Sequence, residues 1–456
     1  PPLPLLVVRD TLEAYGRLAG LHRASFSMPI VAVAGSVGKT GTKEMLAAIL
    51  ATKYRVLKTP KNLNNRIGVP ATLFALEKKH EVAVIEIGTN RPGEIAILSR
   101  ILDPTHGVIT NIGAEHLELL KSIEGVAREE GALFVHLERN GGTPFVNIED
   151  EMLRGMRKDL TRGVSFGRTK RADYQVKIGR LDEQGAPAIE IIEHGRKKER
   201  SLSVQLRTPG RHTAMNAVAA AAIGLRLGVS PTKIAGVLKD FRVTADKSHG
   251  YARLALVTLP DGGRILNDTY NANPDSVEAA VETLEGIAAS RRGRRIAVFG
   301  DMAELGAQSK EAHEGVGRLV SASKIDIALF TGRKMRRAYD TIATADRPAG
   351  VAALFFRNRE KLVEVLRALR DPEDVILVKG SRSAGMEVVV DVLIHGAKER
   401  KQKGEKKTGK KLAGKKTTKS APKGGKKRVV KTKATVKKKS TKKGAAKKSR
   451  KASKKK

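Results

Sequence analysis

The sequence predicts an α/β protein: a central P-loop domain on a parallel sheet with a small antiparallel insertion, a second Rossmann-like α/β domain, and a disordered basic tail. Three observations carry that expectation. Short apolar runs alternate with segments of helical periodicity in two separate stretches, as in parallel sheets covered by helices. A glycine-rich loop follows the first apolar run, in Val31-Ala-Val-Ala-Gly-Ser-Val-Gly-Lys-Thr40. The end of the chain then abandons apolar patterning for lysine.

Residues 10–25 read as one helix leading into the first strand, Ile30–Ala34. The loop after it is spaced Gly35-x-x-Gly38-Lys39-Thr40, two residues shorter than the ordinary P-loop, because Val33 stands where the longer pattern has its first glycine. Gly35 and Gly38 let the backbone of Gly35, Ser36, Val37, Gly38, Lys39 and Thr40 approach phosphate oxygens. A helix beginning near Lys39, amphipathic over Lys43–Leu50, adds its positive dipole end. Lys39 is placed to neutralise the β- and γ-phosphates and Thr40 to hold Mg²⁺ through its hydroxyl, so ATP and Mg²⁺ are the expected cofactors.

Strands over Val82–Ile87, Gly107–Thr110 and Pro144–Ile148 continue the parallel alternation. Shorter runs at Tyr174–Ile178, Ala188–Ile192 and Ser201–Leu206, separated by turn residues, predict the antiparallel insertion, and a helix over Ala214–Leu227 closes this domain. A second alternation runs from Tyr251 to about Leu393, with strands near Ile296–Phe299, Ile325–Phe330 and Val375–Lys379. The expected boundaries are 28–245 for the central domain, 246–397 for the second and 398–456 for the tail. Two α/β domains imply a cleft in which a reaction can be closed off from water.

Charge divides the chain unevenly. Residues 397–456 hold 29 Lys and Arg against 2 acids, which leaves +12 of the total +39 for the rest. The tail lacks aromatic residues and cannot bury enough apolar surface to fold alone. Its composition resembles lysine-rich histone-like tails, and the expectation is that it binds DNA, RNA or another polyanion by counterion release, the alternative being a solvated tail that only raises solubility. Cysteine is absent, which excludes disulfides, thiolate catalysis and Cys-ligated zinc. No apolar run approaches the roughly 18 residues of a membrane span and no signal peptide is visible, so a soluble, cytoplasmic protein is expected.

Six further strings share one direction: Lys61-Asn-Leu-Asn-Asn-Arg-Ile-Gly-Val-Pro70, Glu86-Ile-Gly, Thr110-Asn-Ile-Gly-Ala-Glu-His116, Asn267-Asp-Thr-Tyr-Asn-Ala-Asn-Pro274, Gly300-Asp-Met-Ala-Glu-Leu-Gly306 and Lys379-Gly-Ser-Arg382. With the short P-loop, and in this order, they resemble the Mur ligases, of the MurF type, over residues 1 to about 395. The resemblance implies an ATP-dependent amide ligase that phosphorylates a substrate carboxylate and lets an amine attack the acyl phosphate. Its implied substrates are a UDP-linked muramoyl tripeptide and D-alanyl-D-alanine, in peptidoglycan precursor synthesis. Two rivals remain: a Mur-type ligase with another amine or acceptor, and a nucleic-acid-binding protein with a decayed ligase body. Relatives carry an N-terminal domain for the UDP moiety, of which residues 1–27 resemble only the final strand and exit helix. Either the chain extends upstream, which Pro1 in place of an initiator methionine favours, or substrate recognition is supplied otherwise.

The resemblance also implies site residues. Glu86 and His116 match metal-ligand positions beside Thr40, although singly each would read as an ordinary strand-end carboxylate and a satisfied histidine. Glu130, in Val126-Ala-Arg-Glu-Glu130-Gly-Ala-Leu-Phe134, stands where the family has a carbamylated lysine, so the carboxylate is encoded directly and is expected to substitute for it as a ligand of the second Mg²⁺. A nearby family glutamate is replaced by Ala132, and Ala114-Glu115 inverts the usual Glu-Ala order. Asn216, Arg253, Asp268 and Asn273 are expected at ATP, and Asn64, Asn65, Asp301, Lys379 and Arg382 at the substrates.

Overall fold

The computed structural model describes residues 5–195, 199–242, 250, 252–289, 292–344 and 351–396. They belong to a unit spanning Pro1–Arg400, and Lys401–Lys456 is a separate one. The tail expected over 398–456 lies outside the described residues.

Helix α1 (Thr11–Ala24) is capped by Asp10, whose carboxylate accepts from the Leu12 and Glu13 N–H groups. There follow β1 (Ile30–Ala34), α2 (Lys39–Ala51), β2 (Val56–Lys58), α3 (Gly68–Leu73), β3 (Val82–Glu86), α4 (Glu94–Leu102), β4 (His106–Ile109), α5 (Leu117–Leu120) and α6 (Ile123–Arg139). The same half continues with β5 (Thr143–Asn147), α7 (Glu151–Met156), β6 (Val164–Gly167), β7 (Tyr174–Leu181), β8 (Pro187–Glu193), β9 (Arg200–Gln205), α8 (His212–Arg226) and α9 (Pro231–Asp240). The second half comprises β10 (Ala255–Thr258), β11 (Arg264–Asp268), α10 (Pro274–Ala288), β12 (Arg295–Phe299), α11 (Ser309–Ala322), β13 (Ile327–Thr331), α12 (Arg336–Thr344), β14 (Ala352–Phe356), α13 (Arg359–Leu369) and β15 (Val375–Lys379), before a helix over 387–396.

Nine strands form the first sheet in the order β2-β3-β1-β4-β5-β6-β7-β8-β9. Every pair from β2 through β7 is parallel, and only β7-β8 and β8-β9 are antiparallel. The expected insertion is thus an extension of the main sheet, joined where Phe166 of β6 pairs with Tyr174 of β7. The second sheet, β10-β11-β15-β12-β13-β14, is parallel except for β10.

Strand β1 is buried throughout, and its residues divide between two apolar layers: Val31 and Val33 belong to one, Ile30, Ala32 and Ala34 to the other. In the second sheet Ala297 and Phe299 face one layer while Ile296 and Val298 face another. Both faces of each sheet are covered, which is why these strands read as continuous apolar runs. Chain order reverses at β1, between β3 and β4, so the loops at the carboxyl ends of these three strands diverge and leave a crevice. The P-loop, Glu86 and Thr110 all stand at that edge.

Candidate active site

The loop after β1 is fastened to the segment after β4. The Val37 N–H donates to Asn111 Oδ1 at 2.8 Å, the Gly113 N–H donates to Ser36 Oγ at 2.9 Å, and Thr110 Oγ1 donates to the Val37 carbonyl at 2.6 Å. Gly35 and Gly38 adopt φ of +112° and +91°. A Cβ would stand 2.4 Å from Thr110 Oγ1 at Gly35 and 2.5 Å from Asn216 Oδ1 at Gly38, so both glycines are required sterically as well as conformationally. Asn216, on the first turns of α8, is thereby set against the loop.

Lys39 is 8% exposed, and its amine donates to the carbonyls of Gly35 and Ser36 and pairs with Glu115 at 3.4 Å. Burial works against its charge, but Glu115, Glu130 and Glu86 outweigh that and hold the amine above the ordinary lysine range. Glu130 is fully buried on α6, beneath the loop, and its Oε2 accepts from the Gly35 N–H at 2.9 Å. Burial pushes its carboxyl up to about 8, against the pull of Lys39. Glu86 ends β3, with Oε1 accepting from Asn64 Nδ2 at 2.9 Å and Oε2 3.6 Å from the buried Lys43 amine. His116 precedes α5 with φ +50°; its Nδ1 is 2.5 Å from Glu304 Oε2 and its Nε2 3.9 Å from Glu115 Oε2.

Four buried oxygens around the loop lack a hydrogen-bond partner: Thr40 Oγ1, Glu86 Oε2, Glu115 Oε1 and Glu130 Oε1. Orphaned buried oxygens of this kind suit a hard divalent cation, whose ligands are hydroxyl and carboxylate. Among the described residues, however, no three His, Asp or Glu side chains already converge as a metal-holding group. The donor set therefore fits Mg²⁺ chemically without being gathered around one point.

Across from the loop lies a cavity of about 570 Å³ lined from both halves, by Thr40, Asn216, Arg253, Asp268, Tyr270 and Arg382 among others. The Arg253 guanidinium lies 4.1 Å and that of Arg382 5.8 Å from the Tyr270 ring centroid. The Tyr270 hydroxyl accepts from Asn62 Nδ2 at 2.9 Å, tying the second half to the first. Asp268 and Lys379 are register partners at the ends of β11 and β15, and their side chains form a buried ion pair, with Lys379 also donating to the Asn271 carbonyl at 3.1 Å. Lys379 was expected to meet substrate; here its charge is shared with Asp268, and both line the cavity.

Three expected residues have their side-chain oxygens engaged by backbone. Asn65 Oδ1 accepts from the Ile67 and Gly68 N–H groups at the start of α3. Asp301 Oδ1 accepts from Lys334 and Met335 ahead of α12, at 3.0 and 2.7 Å. Asn273 caps α10 through Ser276, though it also borders the cavity. Asn65 and Asp301 do not border it. Conversely, Glu115, Lys43, Tyr270 and Glu304 belong to the site and were not expected there. Lys43 lies one turn beyond Lys39 on α2, a spacing that puts both on one helix face and could have marked it.

Residues 33–224 match the Mur ligase middle domain, and residues 252–382 match the Mur ligase glutamate ligase domain. The UDP-N-acetylmuramoyl-tripeptide–D-alanyl-D-alanine ligase of Escherichia coli strain K12 is 37% identical over 398 residues, which cover 86% of this chain and 82% of that one. The chain belongs to the Mur ligase family. Among solved structures, a MurF from Acinetobacter baumannii superposes with a TM-score of 0.74 at 31% identity, covering 86% of this chain and 83% of the other. A MurF from Thermotoga maritima, solved in complex with ADP, gives 0.75 at 25% identity, covering 88% and 87%. In this Mur ligase the two matched regions carry the two sheets whose ends face the cavity. No helix among the described residues is long and apolar enough to cross a membrane.

Proposed function

We propose that this Mur ligase joins D-alanyl-D-alanine to the free carboxylate of UDP-N-acetylmuramoyl-tripeptide at the expense of ATP. The γ-phosphoryl group passes to the carboxylate, giving an acyl phosphate and ADP. The dipeptide amine then attacks the acyl carbon, phosphate departs with its bonding electrons, and the amine gives up a proton as the amide forms. The observation that carries this proposal is the cavity between a short P-loop and a second sheet edge that bears Arg253, Lys379 and Arg382.

A carboxylate and a triphosphate repel one another, so positive groups must be fixed before either arrives. Lys39 supplies one from the loop, held above the ordinary lysine range by its acidic neighbours. The N–H groups of 35–40 and the start of α2 supply the helix-end dipole. Arg253 and Arg382, stacked about Tyr270, face the loop from the other half and are suited to bring the nucleotide and the second carboxylate into one enclosure. Asn216 supports the loop from α8. Thr40, Glu86, His116 and Glu130 are the residues that would hold Mg²⁺, which when bound neutralises phosphate charge as the phosphoryl group moves. On this assignment Glu130, whose buried carboxyl keeps its proton up to about pH 8 when no cation is held, would give that proton up to a bound cation and supply a carboxylate independent of carbon dioxide. A nucleotide-linked substrate and ATP are cytoplasmic compounds, which supports that location.

Mass spectrometry of a reaction containing ATP, MgCl₂, the tripeptide nucleotide and D-alanyl-D-alanine tests the proposal. The expected result is a product with water lost between the two substrates, equimolar ADP, and a rate that falls by about a hundredfold or more in Lys39→Ala, since one fixed electrostatic group at a reacting centre is commonly worth that much. ADP formation without the amide, or an amide formed equally without Lys39, would remove it. The Lys-rich segment over 398–456 is assigned a separate property, binding of nucleic acid or another polyanion, supported by its +27 charge and by nothing in the ligase chemistry.

A further inference from the structure

We propose that Glu304, from the second half of the molecule, is a positioning residue for His116: by holding Nδ1 it aims Nε2 at the P-loop, so the cation site is complete only when the two halves meet. This rests on the assignment of His116 to that site.

The contact is built from two unusual backbones. His116 and Glu304 are both non-glycine residues in the left-handed region, at φ +50° and +60°. Such conformations persist only where surrounding structure determines them. Here the surroundings are each other's segments. The Glu118 N–H donates to the Glu304 carbonyl at 3.2 Å, and a Cβ on Gly306 would stand 2.8 Å from Glu118 Cα, so the two segments pack too closely there for any side chain. Leu305, 1% exposed, shares an apolar cluster with Leu117 and Leu120 of α5. The apolar contact holds the segments together.

The carboxylate does something else. Glu304's side chain is 58% exposed, and an ion pair so open to solvent contributes little to holding two domains. Its effect falls on the imidazole. With Oε2 2.5 Å from Nδ1, the carboxylate accepts that N–H and selects the tautomer in which Nε2 keeps its lone pair. Nε2 then lies 3.9 Å from Glu115 Oε2, which pairs with Lys39 at 3.4 Å, so two electron-pair donors stand side by side at the P-loop lysine. A cation between them would satisfy both. Glu304 thereby converts domain contact into orientation of a ligand without touching nucleotide itself.

Calorimetric titration of ADP into the full chain, in EDTA and across a series of MgCl₂ concentrations, tests this. In Glu304→Ala the MgCl₂ needed for half the metal-dependent gain in ADP affinity should rise about tenfold or more, as loss of an outer-shell partner typically does, with affinity in EDTA unchanged. Glu304→Gln, whose amide oxygen still accepts from Nδ1, should stay within about threefold of the parent, well short of the loss expected for an outer-shell deletion. Adding Glu304→Ala to His116→Ala should change nothing further. Equal losses with and without Mg²⁺, additive losses in the double variant, or no change in Glu304→Ala while His116→Ala is impaired would overturn the role of Glu304 alone. Unaltered Mg²⁺ dependence in His116→Ala would instead remove the assignment of His116 and this inference with it.

Discussion

A carboxyl group with no access to solvent must either share its charge or keep its proton, and Glu130 stands between those outcomes. Its Oε2 accepts one backbone N–H, Lys39 attracts it, and burial still dominates, raising the carboxyl to about 8 from an ordinary 4.5. The folded protein therefore binds more protons than the unfolded chain across that interval. Stability present below about pH 4.5 is lost as pH rises toward about 8 and is level beyond. In EDTA, the melting temperature of the parent should fall relative to Glu130→Gln over this window, because the amide keeps the shape and cannot titrate. Parallel melting curves against pH would show that Glu130 is ionised in the folded state throughout. The same residue decides how far the site was legible. Its replacement of the family lysine stood out in the sequence, whereas its seat under Gly35 depends on α6 packing beneath the loop, which no local pattern states.

Helix α8 shows the corresponding lesson for an element. Asn216 lies against Gly38, and four residues on from Ala220 a Cβ at Gly224 would stand 2.6 Å from Ile49 Cγ2. Residues 216, 220 and 224 thus form one stripe along α2, from the P-loop to its far end. Ala220 is fully buried in that stripe. Ala220→Leu should cost about 1–3 kcal/mol, the usual penalty of overpacking a filled interface. Urea denaturation measures it, and an unchanged midpoint would mean the helices can separate freely. The buried strands β1, β3, β4 and β15 were legible because both faces are covered and the runs are continuously apolar. Strands β2 and β14 were not: neither has a fully buried residue, β2 is only three residues long and ends on Lys58, and the apolar run of β14 was not picked out as a strand. The contiguous P-loop was legible for the same reason that Glu115 and Glu304 were missed. One is a local string, while the others acquire meaning only where segments from different sheets meet.

For the whole molecule, the decisive asymmetry is electrostatic. The folded unit through residue 396 carries +12, enough to attract ATP and a nucleotide-linked substrate, while 397–456 carries +27 without apolar patterning. Steering by the first is spread over a folded surface and should change ligation only modestly with salt. Binding by the second would release condensed counterions, so its logarithm should fall steeply and linearly with that of salt concentration. Engagement of some 6–10 phosphates would cost about 10³–10⁵ in affinity between 50 and 200 mM salt. Deleting residues 398–456 separates the two. Fluorescence anisotropy with labelled duplex DNA should then lose both its affinity and its salt slope, while kcat/KM for the ligation stays within about twofold at moderate ionic strength, where exposed charges beyond roughly 10 Å are screened. Retained DNA binding after the deletion would place the polyanion surface on the folded unit. A ligation rate that collapses would make the tail part of substrate capture, and the two electrostatic regions would have to be treated as one.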